Sequence, residues 1–275
     1  MFKWVTERIS IKIVISLIVV LTVIMAIFTA TLVQRRGEVL KDLMLTKART
    51  LALFGGQAME QVLEEAISSG QLTREQVFDT DYQPITEGPL AGAAIPKYHT
   101  AYDAYLDQRI QDIEDTLVDA DSMVTFAVLV DRNGYLPTHN TRYSKPLTGD
   151  AEQDKVGNRT KRLFNDPVGL AAGRYDGNDG QQILRQIYQR DTGETMWDVT
   201  APVFVGGEHW GGFRIGFSIQ QTEEAITELR DTVALSMLLV LVVASLTIVV
   251  VVSRMTRPLK VLTEVADRIA DGNLD

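Results

Sequence analysis

Residues 232–253 read TVALSMLLVLVVASLTIVVVVS and pass without a break into RMTRPLKVLTEVADRIADGNLD at 254–275. No charge falls between Asp231 and Arg254. A helix of those 22 residues rises about 33 Å, enough to cross a hydrocarbon core of about 30 Å. A second charge-free run covers Ile13 to Val33. It is too long for the apolar part of a secretory signal, and no small-x-small cleavage site follows, so it reads as an uncleaved anchor. With two spans, residues 1–12 and 254–275 share one side of a membrane and residues 34–231 form a loop on the other.

The loop segment carries 20 Lys and Arg against 31 Asp and Glu. That acidic balance argues against a nucleic-acid surface, which needs a basic footprint. Cysteine is absent, which excludes a disulfide framework, cysteine-held zinc and covalent c-type haem. Basic residues near the spans number 7 on the terminal side and 6 on the loop side, so charge bias leaves the orientation open.

Beyond the first span, residues 34–70 read as a long helix that Ser69-Gly70 stops. Its stripe is Leu40, Leu43, Lys47, Leu51, Phe54, Ala58 and Val62, expected as core, as a dimer seam, or as both. Gly55-Gly56 is either a bend or a close packing point. Thr73 with Gln76 forms a capping box for a short helix. Pro96 is expected to start another helix, with Tyr98, Tyr102, Tyr105, Ile110, Ile113 and Leu117 on one face. Its opposite face (Asp112, Glu114, Asp115, Asp119 and Asp121) reads as solvated. MVTFAVLVD at 123–131 reads as a strand ending in an Asp-Arg-Asn-Gly turn. Three runs, ILRQIYQR, TMWDVTAPVFV and HWGGFRIGFSI, are joined by tight turns and make an antiparallel meander. The class is α+β, one sheet with helices on one face. A short polar helix, QQTEEAITELRDTV, then runs into the second span.

No catalytic constellation appears, and the chain is expected not to be an enzyme. His99, His139 and His209 are far apart and in no metal-helix spacing. Asp176 to Gly180 has the wrong alternation for a calcium loop and reads as a surface turn. No cofactor and no metal are expected; for His139 a packed, hydrogen-bonded ring is the default over metal or haem ligation. The candidate ligand site gathers polar groups among aromatics: Tyr135, His139, Asn140, Arg159, Arg162, Tyr188, Arg190, Trp210 and Arg214. Arginine forks bind carboxylates bidentately, which suits a small organic anion. The alternative is that these arginines pair with Asp150, Asp154, Asp166, Asp191 or Asp198 and only hold the fold.

The residues Arg257-Pro258-Leu259, Leu262, Ala266, Ile269-Ala270 and Gly272-Asn273-Leu274-Asp275 resemble the first helix of a HAMP domain and the start of its connector. Proline at a helix start, apolar 259, 262, 266 and 269 at 3–4–3, and Gly272 at the end fit that helix. Such a stripe needs partner helices, so a homodimer is implied, with Pro258, Leu259, Leu262, Ala266, Ile269 and Gly272 transmitting the signal. The loop motifs VFDTDYQPI, KYHTAYDAY, FAVLVDRNGYLPTHN, YSKPLTGDAEQDKVGNRTKRLFND, YQRDTGETMWDVTAPVFV and HWGGFRIGF resemble the periplasmic sensor region of bacterial methyl-accepting chemotaxis proteins, of Cache/PAS-like type. The resemblance covers most of residues 71–219. It implies a multi-pass receptor of the bacterial inner membrane with a periplasmic sensor at 34–231 and a partial HAMP domain at 254–275. It also implies a signalling rod beyond Asp275 that engages a chemotaxis kinase and adaptor. A histidine kinase or a diguanylate cyclase is the alternative output, since HAMP modules precede those too.

Overall fold

The computed structural model describes residues 2–270; the side chains of residues 2–10, 221, 259, 260, 263, 264 and 266–270 fall outside the description. The chain divides into two compact units, one of residues 1–40 with 224–275 and one of residues 41–223.

The first unit holds the two apolar runs. Helix α1 spans Phe2–Ser68 and α7 spans Ile219–Ala270, and both contain a segment long and apolar enough to cross a membrane. The hydroxyls of Thr22, Thr31, Ser236 and Thr247 each donate to a carbonyl four residues back, which satisfies these four donors where lipid offers no acceptor. Thr22, Ala26 and Ala30 lie with Ala234, Met237 and Leu241 around one apolar groove. Pro258 sits inside α7, which corrects the expectation of a helix starting there. Leu262 is exposed, the side chains of Leu259, Ala266 and Ile269 lie outside the description, and Gly272 lies outside the described residues.

The second unit is built on a four-stranded antiparallel sheet in the order β3-β8-β7-β6: β3 Val124–Asp131, β6 Leu184–Gln189, β7 Thr195–Val205 and β8 Glu208–Ser218. The meander is the one its turns predict. Short elements precede and interrupt it. They are α2 (Arg74–Val77), β1 (Gln83–Pro84), β2 (Tyr98–His99), α3 (Asp103–Asp107), α4 (Gln111–Asp119), β4 (Tyr135–Leu136), α5 (Ala151–Gly157), β5 (Arg162–Leu163) and α6 (Pro167–Arg174). The Thr73–Gln76 capping box is formed in full.

Alternation along β8 divides the sheet into two faces. Phe213, Ile215 and Phe217 point to the α1 face, where a Cβ on Gly55 would sit 2.2 Å from the Phe213 ring and one on Gly56 would sit 3.5 Å from Ala201. The glycine pair is therefore a close packing point and α1 passes through it unbroken. The buried stripe of α1 is Met44, Ala48, Ala52, Met59, Leu63 and Ala66. This lies about a quarter turn from the stripe expected from the sequence. Small residues, not the largest apolar ones, let the helix approach the sheet, and Leu43 and Phe54 stay 51% and 65% exposed.

On the opposite face, a Cβ on Gly212 would sit 2.7 Å from the Ala172 carbonyl of α6. Helices thus cover both faces, not one. The α+β class stands.

The expected helix from Pro96 is also corrected. Tyr98–His99 pairs as a strand with Gln83–Pro84, and α3 and α4 are separate. Glu114, placed on a solvated face, is fully buried, with Oε1 accepting the Leu129 amide at 3.0 Å on the free edge of β3. A period-3.6 reading is blind to a strand edge that needs an acceptor.

Candidate ligand-binding site

A cavity of about 560 Å³ opens on the sheet face opposite α1. Its floor is Phe126, Val128 and Tyr188 from the strands, with Leu136, Leu163, Phe164 and Val168 closing the sides. Gly216 leaves room for the floor, because a Cβ there would fall 2.1 Å from the Phe126 ring. Into this apolar bowl project four guanidiniums: Arg159, Arg162, Arg190 and Arg214. All four residues are buried.

The segment 158–162 is shaped to deliver two of them. Lys161 has φ +58, the one positive φ outside glycine among the described residues, and a side chain held there is strained. The strain is offset by its Nζ, which pairs with Asp103 at 3.1 Å and Asp107 at 2.6 Å. Lys97 Nζ grips the same segment from behind, donating to the Asn158 and Thr160 carbonyls at 2.9 and 2.7 Å. With lysines pulling inward, Arg159 and Arg162 turn to the cavity and stack on Phe164, at 5.4 and 4.9 Å from its ring centre.

The carboxylate supply is thin. Arg214 is satisfied: its Nε and Nη2 donate to Asp198 at 3.1 and 2.7 Å, and Asp198 is fully buried. Arg159 and Arg162 share a single carboxylate, Asp191, at 2.9 and 3.7 Å. Arg190 reaches Glu194 only at 3.8 Å and donates weakly to the Tyr143 hydroxyl at 3.4 Å. The Arg162 Nε and the His139 Nδ1 are buried with no partner. Of the other acids considered as partners, Asp150 and Asp166 cap α5 and α6, and Asp154 accepts the Thr148 and Gly149 amides. The pairing alternative thus accounts for Arg214 in full, for Arg159 and Arg162 in part, and for Arg190 hardly at all.

Electrostatics agree with an excess of positive charge. Burial, followed by Arg190, draws the Arg159 guanidinium below its ordinary pKa. Burial and the charge of Arg159 bring Arg162 down to about 10. Burial pushes the His139 imidazole well below its ordinary value, and Arg159, Arg190 and Arg162 push it further, so the ring is neutral. Burial alone would raise Asp191; Arg159, Arg162 and Arg190 hold it below the usual carboxylate value. A buried charge without a full partner costs several kcal/mol, and a guest carboxylate would supply charge-assisted bonds where this cavity lacks them.

No protein-family model and no curated protein matches the chain. Among solved structures it is similar to the sensor domain of the histidine kinase DctB from V. cholerae, at 12% identity and TM-score 0.41, over 71% of this chain and 57% of that one. An extracellular ligand binding receptor from Desulfohalobium retbaense matches at 15% identity and TM-score 0.32, over 47% of this chain and 22% of that one. The sensory domain of the Campylobacter jejuni chemoreceptor Tlp3 (CcmL) matches at 8% identity and TM-score 0.30, over 68% and 66%. The chain spans less than two thirds of each, and none reaches a TM-score of 0.5, so the site is judged on its own residues.

His139, Arg159, Arg162, Tyr188, Arg190 and Arg214 all line the cavity. Tyr135, Asn140 and Trp210 do not line it: the Tyr135 hydroxyl and the Trp210 indole are engaged elsewhere, and Asn140 uses its side-chain oxygen while its Nδ2 is buried without a partner. Tyr135 donates to the Tyr98 carbonyl at 2.7 Å, Asn140 accepts the Ala127 amide at 3.0 Å, and the Trp210 indole donates to the Val77 carbonyl at 2.7 Å. Sequence reasoning passed over Phe126, Phe164, Tyr143 and Lys97. The two phenylalanines carry no polar signal that would single them out, and Lys97 lies in the stretch expected to start a helix.

Proposed function

We propose that this chain is the sensing and membrane-embedded part of a bacterial chemoreceptor of the methyl-accepting type. Its periplasmic α+β domain, of Cache/PAS-like type, binds a small organic anion in the arginine-lined cavity and catalyses no reaction. The observation that carries this reading is the mismatch between four buried guanidiniums and the two carboxylates that hydrogen-bond them. The bound state is passed along β8 into the helix that begins at Ile219, through the inner membrane to a HAMP bundle and a signalling rod. The exposed Leu43 and Phe54 of α1 support a homodimer. A kinase or cyclase output would use the same cavity and the same spans; grafting residues 1–275 onto a chemotaxis rod and measuring ligand-dependent swimming tests the receptor output.

The binding claim is tested on the full chain in detergent by thermal shift against a panel of small carboxylates. A ligand at a hundred times its Kd stabilises the folded form by about 2.7 kcal/mol. Arg159→Ala should abolish the shift. If no carboxylate raises the transition, or if Arg159→Ala responds like the parent, the anion reading fails.

A further inference from the structure

The cavity's two side-wall guanidiniums are carried by a segment held by two buried ammoniums, Lys161 through carboxylates and Lys97 through neutral oxygens of the segment itself. Lys97 is 3% exposed. Its Nζ donates to the Asn158 carbonyl at 2.9 Å, the Asn158 side-chain oxygen at 2.6 Å and the Thr160 carbonyl at 2.7 Å. The two carbonyls bracket Arg159, and Arg162 follows two residues on. All three acceptors are neutral oxygens, so they match the three N–H donors of an ammonium one for one. A neutral amine has two donors and a lone pair, and one of the three contacts would then set a lone pair against an oxygen. The grip is complete only when Lys97 carries its proton.

The charges around Lys97 make that proton responsive to the cavity. Arg159 and Arg162 face it from the segment it holds and Asp154 from α5; His139, beyond them, also feels its charge. Burial, then Arg162 and Arg159, bring the Lys97 ammonium down to about 7, with Asp154 opposing. His139 is already neutral at that pH, and Arg162 titrates only near 10.

We propose that Lys97 is a proton-operated clamp on the arginine segment, so that the cavity takes up its anion together with a proton. This rests on the anion reading above and adds its regulation. A guest carboxylate between Arg159 and Arg162 cancels the repulsion they exert on Lys97, so the proton is held more tightly in the bound state. Affinity is then highest below the pKa of the empty site and falls as pH rises through it, by up to about tenfold per pH unit until the bound-state pKa is passed. Such a receptor reports an anion and the acidity around it as one signal.

The test is calorimetry on the full chain in lipid nanodiscs with benzoate, whose flat apolar body suits the Phe126 and Phe164 walls. Titrations at pH 6, 7 and 8, in buffers of different ionisation heat, count the protons taken up; Arg159→Ala supplies the blank for partitioning into lipid. The expected result is binding that weakens from pH 7 to 8, with uptake of up to one proton per benzoate. Lys97→Arg keeps a permanent charge and should bind with a flat pH profile and no uptake. Lys97→Met should bind more weakly at every pH, also without uptake. Where Lys97→Met does not fold, Lys97→Arg decides. Binding of the parent that is independent of pH, or a slope that survives in Lys97→Arg, overturns the clamp alone. Benzoate failing to bind at any pH, in company with the rest of the carboxylate panel, overturns the anion reading and the clamp together.

Discussion

Replacing Asp198 by alanine should be among the most damaging single changes in the unit of residues 41–223, and its cost follows from the sheet. Register sets Asp198 opposite Gly216 and Thr200 opposite Arg214, so Asp198 and Arg214 are diagonal neighbours on one face. Both are buried: Asp198 is 0% and Arg214 5% exposed. Burial draws the Arg214 guanidinium down, but Asp198 and Tyr188 more than restore it, and it ends above its ordinary pKa. Without Asp198 that support is lost, but a guanidinium keeps its proton at ordinary pH even when buried, so the loss is that of an unpaired buried charge, about 3–5 kcal/mol. For a unit of this size that is a fall of roughly 6–20 °C in Tm. The assay is thermal unfolding of the full chain in detergent, followed by circular dichroism near 218 nm, where the sheet contributes. Because Arg214 also lines the cavity, acetate should restore part of the loss in Asp198→Ala while moving the parent less. The double change Asp198→Leu with Arg214→Met should cost less than Asp198→Ala alone, since no charge is stranded. A shift below about 2 °C in Asp198→Ala, or a double variant worse than the single, would refute this account of the pair.

Asp191→Asn removes the one carboxylate that Arg159 and Arg162 share; if Asp191 stands where a ligand carboxylate sits, benzoate should bind roughly tenfold tighter, a gain of about 1.4 kcal/mol, and weaker binding would make Asp191 a positioning group instead. Gly55→Val puts carbon into the Phe213 ring and should cost about 1–3 kcal/mol by overpacking, with Phe213→Leu recovering part of it in the double variant; a neutral Gly55→Val would mean α1 stands off the sheet. Glu114 has its carboxyl pushed well above the ordinary 4.5 by burial, so its ionisation costs stability that accumulates as pH rises above that value. Glu114→Gln should equal the parent near pH 4 and become the more stable of the two at higher pH, by chemical denaturation; a difference that does not vary with pH would remove the assignment. Because the chain has no cysteine, Phe54→Cys tests the dimer directly: oxidation in native membranes should give a disulfide-linked pair, and a monomer that stays free under the same oxidant would count against α1 as the seam.

The sequence carried the sheet well because strands announce themselves locally. The β6–β7–β8 meander needs only two short turns and alternating residues, and Gly193 and Gly206 supply the positive φ those turns require. The long helices were equally plain, since nothing else can be done with 22 uncharged residues outside a core. What stayed hidden was which side of a helix faces inward. On α1 the largest apolar residues draw the eye, yet Gly55 and Gly56 are what meet the sheet at close range, on a stripe where Ala48 and Ala52 are buried while Leu43 and Phe54 are not. The cavity was legible in part. A cluster of arginines in an acidic segment is a chemical anomaly visible in one dimension. Which of their neighbours turn toward them depends on backbone direction at single residues. Lys161 at φ +58 is the sharpest instance, because no sequence rule expects a left-handed lysine, and that conformation is what lets Arg159 and Arg162 share one wall.

The same strand that the sequence announces most clearly is where the two faces of the sheet meet. On β8, Arg214 reaches the cavity while Phe213 and Ile215 press on the α1 side. Gly212 and Gly216 keep the cavity face thin enough for α6 and the Phe126 ring to lie directly on the backbone. A strand with so little side chain on one face has few ways to absorb a change there except by moving its backbone. Displacement of β8 by a ligand near Arg214 would therefore be felt at Phe213 and Phe217 on the other face, since alternate residues of one strand move as one body. Ser218 ends the strand and Ile219 begins α7 with no intervening loop. Thr222, in the first turn of that helix, donates to the Ser218 carbonyl at 3.0 Å and contacts the Met44 sulfur at 3.3 Å, so the junction is stapled on both sides. Lengthening it with two glycines after Ser218 should leave carboxylate affinity intact and remove any ligand-dependent output, because binding needs only the cavity face, whereas signalling needs the strand and the helix to be one piece.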